Sequence, residues 1–299
     1  MTVCSDIKAE PLAGSAKQGN AYVLFEWPAG WSRDVLDGNT FDRSLSKQLK
    51  SKLKEGGKGT GLQLIRRPGR EGRKVGELHR CYLVWAHERK MELVLLRGPE
   101  DILHLDLSGP GKNHGRSIDK PLLLVCTHGK RDVCCAVKGR PLAAELNAHF
   151  GDDIVWEASH MKGHRFAAVS LLMPWAYSFG RLNAEVGKQL VETAMRGEYF
   201  FPGNRGNGLL SSRAQVAELA VARELIDAGE RLHYGALTPV DEDPKGRENR
   251  PVSITHVDGR MWEVQLEKKE VSGVISSCGD KPKTSSVWVA AEVKSPQLR

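Results

Sequence analysis

The sequence of 299 residues lacks several features that would have placed it in a class at once. No apolar run approaches the roughly 18 residues of a membrane-spanning helix, so no membrane association is expected. The N-terminus carries no basic and then apolar leader, so the protein is expected to be cytoplasmic. There is no Cys-x-x-Cys, the spacing typical of thioredoxin-type dithiols, and no internal repeat or low-complexity tract. These absences predict an ordinary globular protein.

Charge and composition narrow the classes of partner. The hydrophobic content of 40% and the charged content of 27% are ordinary, and the length allows two domains. The net charge of +7 makes nucleic acid conceivable, but the basic residues are spread along the chain. The dense basic cluster at residues 66–74 is interpreted as a solvated hairpin loop, with a docking patch for an acidic redox partner as the alternative. Nucleic acid is therefore not the expected partner.

The order of predicted elements gives an α/β fold class with three parts. Residues 1–115 contain a strand, a helix, a strand and a hairpin, which predict a smaller N-terminal α/β domain ending in a Gly- and Pro-rich linker. Residues 116–235 follow the order strand-helix-strand and then strand-strand-helix, which is the thioredoxin-like arrangement. Residues 236–299 are rich in strands, with a tight turn at Asp258-Gly259, and predict a C-terminal β-hairpin extension. The first domain is interpreted as a degenerate second layer that shields a site or docks a partner.

Two segments of the middle domain lie close to the cysteine and histidine residues, and their predicted secondary structure affects the direction of those side chains. Asp132 is a candidate cap for a short helical turn, whereas Pro141 suits the first position of a helix that ends near Phe150. The nearly all-apolar run of residues 166–173 predicts a buried strand.

Cysteine and histidine residues follow two neighbouring predicted strands. Cys126 ends the strand at residues 122–125, and Cys134 and Cys135 come soon after it; His160 and His164 follow the strand at residues 154–156. In a chain of this size without a leader, cysteines bind metal or stay free more often than they form disulfides. Two thiols and two imidazoles at adjacent strand ends are what one soft-to-borderline metal centre needs.

The residues alone leave several alternatives open. Successive side chains point apart, so only one of Cys134 and Cys135 is expected to join Cys126, and bare geometry does not choose between them. Zinc is a rival, but structural zinc usually has its thiols two to four residues apart, and eight residues separate Cys126 from Cys135. An iron–sulfur cluster tolerates the wider spacing. A thiol-disulfide oxidoreductase using Cys134 or Cys135 is disfavoured by the missing Cys-x-x-Cys.

The other three cysteines are given structural interpretations. Cys81 lies within a predicted hairpin and is expected to be a buried small hydrophobe. Cys278 is interpreted as a loop residue of structural use. Cys4 lies in the first twenty residues, which are expected to pack along the surface.

The two motifs resemble a known family. Residues 126–135, together with residues 159–167, look like the motifs of the sucrase/ferredoxin-like family, whose cluster domain is similar to thioredoxin-like ferredoxins. The resemblance extends to Gly180-Arg181, to the loop at residues 277–282 and, more loosely, to residues 10–14. In the eukaryotic branch the motif resembles Cys-x-His-x-x-Arg-Asp-x-Arg-Cys-Gly, which places the second thiol at Cys135 and puts Cys134 where that branch has Arg.

The resemblance implies an electron-transfer protein with a redox partner protein. Its 2Fe–2S cluster would be held by Cys126, Cys135, His160 and His164, with Cys134 as the alternative to Cys135. Residues expected to orient these ligands from behind are His128, Arg131 and Asp132. The family name includes a sucrase activity, but no carboxylate pair is arranged for glycoside hydrolysis, so that activity is not expected.

Overall fold

The computed structural model describes residues 3–151 and 153–298 and shows a mixed α/β protein with two sheets. The helices are α1 (Arg43–Glu55), α2 (Val133–Phe150), α3 (Ala184–Met195) and α4 (Ser212–Asp227). The strands are β1 (Ala21–Glu26), β2 (Gly61–Arg66), β3 (His79–Trp85), β4 (Lys90–Leu96), β5 (Arg116–Ser117), β6 (Leu122–Cys126), β7 (Val155–Ala158), β8 (Ser170–Met173), β9 (Tyr177–Phe179), β10 (Asn204–Asn207), β11 (Leu237–Val240), β12 (Val252–His256), β13 (Arg260–Val274) and β14 (Lys283–Leu298). Short 3-10 helices lie at Cys4–Asp6, Glu71–Arg73, Pro99–His104 and His164–Phe166. Within the described residues, no helix is both long and apolar enough to cross a bilayer.

The first ten strands form one mixed sheet made of two similar halves. The strand order is β10-β9-β8-β6-β7-β2-β1-β3-β4-β5. In each half a strand-helix-strand unit is parallel, and two further antiparallel strands extend it on the side of its first strand. The predicted order of the middle domain is thus present, and the N-terminal half repeats its first five elements. The two halves join where β2 pairs antiparallel with β7.

The two halves of the sheet face each other across a shared core. Leu24 of β1 and Leu124 of β6 belong to this core, in which the rings of Tyr82 and Trp156 meet edge to face at 5.7 Å. Neighbouring residues along β1 and β6 point the opposite way, because side chains alternate along a strand. They enter two outer cores, one formed with α1 and the other with α2, α3 and α4.

The C-terminal part is more extensive than the predicted hairpin. Strands β11 to β14 form a four-stranded antiparallel sheet that packs on α4, which lies between this sheet and the large one. The hairpin at Asp258-Gly259 is confirmed, but β13 and β14 are longer than expected and β11 adds a fourth strand. The α/β class and the strand-rich C-terminal extension are therefore confirmed. The extension is a four-stranded sheet, however, and not the single hairpin that was predicted.

Two local predictions near the metal-binding motifs need correction. One helix, α2, starts at Val133 and runs through Pro141, so Asp132 is the cap and Pro141 does not begin a separate helix. The missing N–H of Pro141 leaves a single gap in the hydrogen bonds of an 18-residue helix, and packing of the helix on the sheet outweighs it. The apolar run at residues 166–173 is a strand only from Ser170, because its first residue completes the 3-10 turn at His164–Phe166.

A buried ion pair fastens the junction of the two halves. Arg66, the last residue of β2, donates from Nε to Glu157 of β7 at 2.8 Å, and the two side chains are 6% and 4% exposed. Thr127 Oγ1 and Arg73 Nη2 donate to the same carboxylate at 3.1 Å each. Arg66 also lies 3.9 Å from the centroid of the Trp31 ring. The basic cluster at residues 66–74 is therefore not wholly a solvated loop, since Arg66 is buried.

Breaking this pair should destabilise the whole protein. Arg66→Met leaves a buried carboxylate with less compensation, and we expect the free energy of unfolding to fall by about 3–5 kcal/mol in urea denaturation. The double variant Arg66→Met/Glu157→Leu should recover at least half of that loss, because no charge is left buried. Lys294→Ala, which removes an exposed ion pair with Glu263, should change the free energy by less than about 0.5 kcal/mol. A cost below about 1 kcal/mol for Arg66→Met would contradict the assigned role.

A buried carboxyl on α4 makes stability depend on pH. Glu218 is 2% exposed, hydrogen-bonds the hydroxyl of Tyr177, and has its pKa raised by burial to about 8. The folded state therefore holds a proton that the unfolded chain releases above its ordinary pKa of 4.5, so stability is full below that pH and is lost as pH rises towards 8. Glu218→Gln should remove this component, worth about 1.4 kcal/mol per pH unit, from unfolding curves recorded between these pH values. Glu263→Gln is the exposed control, and equal pH slopes in Glu218→Gln and the wild type would contradict the assignment.

Candidate functional site

The start of α2 positions the cysteines. The Asp132 carboxylate accepts the N–H of Cys134 at 3.1 Å, which caps the helix directly after the turn that follows β6. Gly139 of α2 lies against the end of β6, where a Cβ atom would collide with the carbonyl oxygen of Cys126. Because only glycine allows this approach, the first turn of α2 is held beside Cys126.

Two thiols and one imidazole meet at the end of the shared core. The Sγ atoms of Cys126 and Cys135 and a ring nitrogen of His160 all lie within 4.8 Å of one another. Cys126 and Cys135 are 2% and 1% exposed. The structure thus brings together three of the four residues expected to be ligands, and it places Cys135, not Cys134, beside Cys126.

The fourth expected residue, His164, lies next to this group. Its ring centroid is 5.2 Å from that of His160. Gly163 has φ +85°, a left-handed conformation, and a Cβ there would collide with the guanidinium of Arg205. A glycine is needed at this turn, and the turn brings the two imidazoles side by side in a loop and a 3-10 turn, not on an α-helix.

Several ring nitrogens of these histidines are buried without a hydrogen-bond partner in the described part of the chain. They are both nitrogens of His160 and Nδ1 of His164. The Nε2 atom of His164, by contrast, lies 2.9 Å from Ser277 Oγ and 3.4 Å from Asp132 Oδ2. A histidine with one nitrogen held by a hydroxyl or carboxylate and the other free is the arrangement that metal-ligating histidines adopt.

The electrostatics of the group suit ligation. The Cys135 thiol, which hydrogen-bonds Cys126, lowers the pKa of Cys126 well below its usual value, and His160 adds to this effect. The same contact, together with burial, raises the pKa of Cys135. Burial lowers the pKa of His164, which keeps its imidazole neutral, the form that binds a metal.

His128, Arg131 and Asp132, the three residues expected to support the ligands, make different contacts around the group. Nδ1 of His128 accepts the backbone N–H of His160 at 3.2 Å, and its ring meets Trp31 of the N-terminal half edge to face at 5.7 Å. Asp132 caps α2 and approaches His164. The backbone N–H of Arg131 closes the turn onto the His128 carbonyl. The N-terminal half thus reaches, through Trp31, the residue that holds the backbone of His160.

A second sulfur group lies on the other side of the α2 start. Cys134 Sγ is 3.1 Å from Cys4 Sγ and 3.1 Å from Cys278 Sγ, and Cys278 Sγ is 3.7 Å from Cys4 Sγ. Cys4 is 3% exposed, so its expected place along the surface is wrong. Burial raises the pKa of Cys4, and it raises that of Cys278 to about 11. An oxygen of Asp132 completes a set of four atoms within 4.8 Å of one another.

Sequence reasoning missed this second group, although one signal pointed to it. The family resemblance extended to residues 10–14 and to the loop at 277–282. These two segments are far apart in the sequence, so their shared resemblance indicated that both contribute to one site. In the structure, Glu10 binds Arg165 through two hydrogen bonds of 2.5 and 2.6 Å, and the loop places Ser277 on His164 and Cys278 on Cys134. Cys81 is buried in β3, as expected.

Comparison with families of known proteins gives a match. The model of the family described as sucrase/ferredoxin-like matches residues 12–206, well over half of the chain. The matched range contains Cys126, Cys135, His160 and His164, and it excludes Cys4 and Cys278. Comparisons with curated proteins and with solved structures give no significant match. The chain belongs to the sucrase/ferredoxin-like family.

Proposed function

We propose that the protein is a one-electron carrier in which Cys126, Cys135, His160 and His164 hold a 2Fe–2S cluster. The observation that carries this proposal is the convergence of two buried sulfurs and an imidazole within 4.8 Å, beside a second imidazole. Family membership is consistent with a redox role.

The residues fit such a group chemically. Two sulfurs and two imidazoles form the donor set of Rieske-type centres. The unpartnered nitrogens of His160 and His164 would otherwise be buried polar atoms without hydrogen bonds, which folded proteins rarely tolerate. Ser277 and Asp132 fix the orientation of the His164 ring through Nε2, which leaves Nδ1 for ligation.

A 2Fe–2S cluster takes up and releases a single electron. The chain would supply neutral imidazole ligands, a water-free environment on the sulfur side and a ring nitrogen that can hold a proton. The two neutral imidazoles replace two thiolates, and this loss of negative charge favours reduction, since such centres span roughly −150 to +300 mV against about −400 mV for plant-type ferredoxins. The shared core, which includes Cys126 and Cys135, excludes water from the sulfur side. His164 Nε2 can hold a proton beside Asp132 and Ser277.

The accessible side of the site indicates where a redox partner protein would dock. Cys126 and Cys135 are fully buried, whereas the side chain of His164 retains 13% exposure and His160 is also partly exposed. We infer that the partner approaches over the two histidines and the loop that carries Ser277.

The thiol-disulfide alternative has one observation in its favour and a stronger one against it. The lowered pKa of Cys126 beside the raised pKa of Cys135 is the pattern of an activated dithiol. A reactive thiolate must reach a disulfide of its substrate, however, and neither sulfur has the exposure that this requires.

Spectroscopy of variants tests the ligand set. Protein purified anaerobically should be red-brown, with about two irons per chain and an electron paramagnetic resonance signal after reduction with dithionite. Cys126→Ser and Cys135→Ser should each lose at least nine-tenths of the iron, because a serine oxygen is a poor replacement for a thiolate.

Cys134→Ser is the matched control for Cys135→Ser, because the two residues are adjacent in the same helical turn, and it should keep its iron. Cys81→Ser controls for loss of a buried thiol elsewhere. A colourless protein, or a zinc-containing one in which Cys126→Ser removes the zinc, would refute the cluster.

Histidine ligation should make the midpoint potential depend on pH. An oxidised centre favours loss of the second imidazole proton, so the potential should fall as pH rises, towards about 59 mV per pH unit where one proton accompanies one electron. His164→Cys should lower the potential, because the thiolate adds a negative charge, and should weaken the slope. Potentiometry across acid to alkaline pH measures both effects, and a flat potential in the wild type would exclude proton coupling at the imidazoles.

A further inference from the structure

The second sulfur group joins three segments that are distant in the chain. Cys4 comes from the 3-10 turn at Cys4–Asp6, Cys134 from the first turn of α2, and Cys278 from the loop before β14. Each sulfur lies within 3.7 Å of both others. The three sulfurs therefore form one triad, with Cys134 at 3.1 Å from each of the other two, and no sulfur stands apart from the group.

A disulfide does not account for this arrangement. A disulfide joins two sulfurs about 2.05 Å apart, and it would leave the third thiol without a role. A tetrahedral zinc site holds its thiolates about 3.8 Å apart, because each Zn–S bond is about 2.3 Å. The observed separations of 3.1, 3.1 and 3.7 Å reach that value after small outward movements.

The surroundings would offset the charge of three thiolates. Cys134 lies in the first turn of α2, where the helix dipole favours negative charge. The backbone N–H of Cys4 points at Cys278 Sγ at 3.4 Å. The Asp132 carboxylate adds a negative charge of its own, but it accepts the N–H groups of Cys134 at 3.1 Å and Cys278 at 3.0 Å, which hold it at the edge of the triad as a candidate oxygen ligand.

We propose that Cys4, Cys134 and Cys278 bind a divalent metal ion of the Zn²⁺ type, with Asp132 as the fourth ligand. Soft thiolates with no open position are typical of structural zinc, and the three thiol protons pass to solvent as the ion binds. None of the site's thiols belongs to the group of Cys126, Cys135 and His160, although Asp132 also lies 3.4 Å from Nε2 of His164. Two of its three thiols lie outside the residues that match the family model. Its role is to tie the 3-10 turn at Cys4–Asp6 and the loop before β14 to the start of α2.

Metal analysis of the full-length reduced protein, after incubation with Zn²⁺ and removal of the excess, tests the site. We expect one zinc per chain. Cys4→Ser and Cys278→Ser should each lower zinc retention at least tenfold while the iron content stays unchanged. Cys81→Ser, the matched control for a buried thiol outside both groups, should keep both metals. Cys126→Ser should lose iron and keep zinc, so failure of this site is distinguishable from failure of the proposed cluster.

Zinc X-ray absorption of the wild type gives a readout that does not depend on the folding of variants. It should show three sulfur neighbours at about 2.3 Å and one lighter neighbour. No retained zinc in the wild type, zinc without sulfur neighbours, or zinc retention in Cys4→Ser and Cys278→Ser equal to that of the wild type would overturn the proposal. Loss of iron in place of zinc in those two variants, or loss of both metals in Cys126→Ser, would also overturn it.

Discussion

The first turn of α2 is the constraint on which both sulfur groups depend. Consecutive residues of an α-helix project about 100° apart, so Cys134 and Cys135 cannot face the same centre. Asp132 fixes where the helix starts, and Gly139 fixes how closely it crosses the end of β6. Given these two anchors, Cys135 turns towards Cys126 and His160, and Cys134 turns towards Cys4 and Cys278. A shift of the helix start by one residue would put one thiol in the place of the other and a valine or an alanine in the place left open, so both groups would be lost.

The duplicated sheet explains why the site is buried on one side and accessible on the other. The carboxyl ends of β2 and β7 meet at the junction, where Arg66 and Glu157 pair beside Thr127. The turn after β6 therefore lies beside the N-terminal half, and His128 of this turn contacts the Trp31 ring of that half. Where the second half has Cys126 at the end of β6 and Thr127 after it, the N-terminal half has Glu26 at the end of β1 and then Trp27, so it offers no thiol at the corresponding position.

Much of the fold followed from local sequence patterns, and so did the grouping of the first site. Alternating and helical periodicity located the strands and helices, and the expected residues Cys126, Cys135 and His160 converge. The start of α2 was ambiguous because Asp132 and Pro141 are both good helix beginnings, and only tertiary packing decides between them. The role of Arg66 was hidden because its partner Glu157 is 91 positions away. The second group was hidden for the same reason, since no periodic pattern connects Cys4 with Cys134 or Cys278.

Cys4 and Cys278 are 274 positions apart and meet over Cys134. Closing so long a loop costs little more free energy than closing a moderate one, because the entropy grows only with the logarithm of length. Translation, however, separates the three thiols in time, because Cys4 and Cys134 are synthesised well before Cys278. The triad can therefore be completed only after translation has passed residue 278, and until then Cys4 and Cys134 lack their third sulfur neighbour.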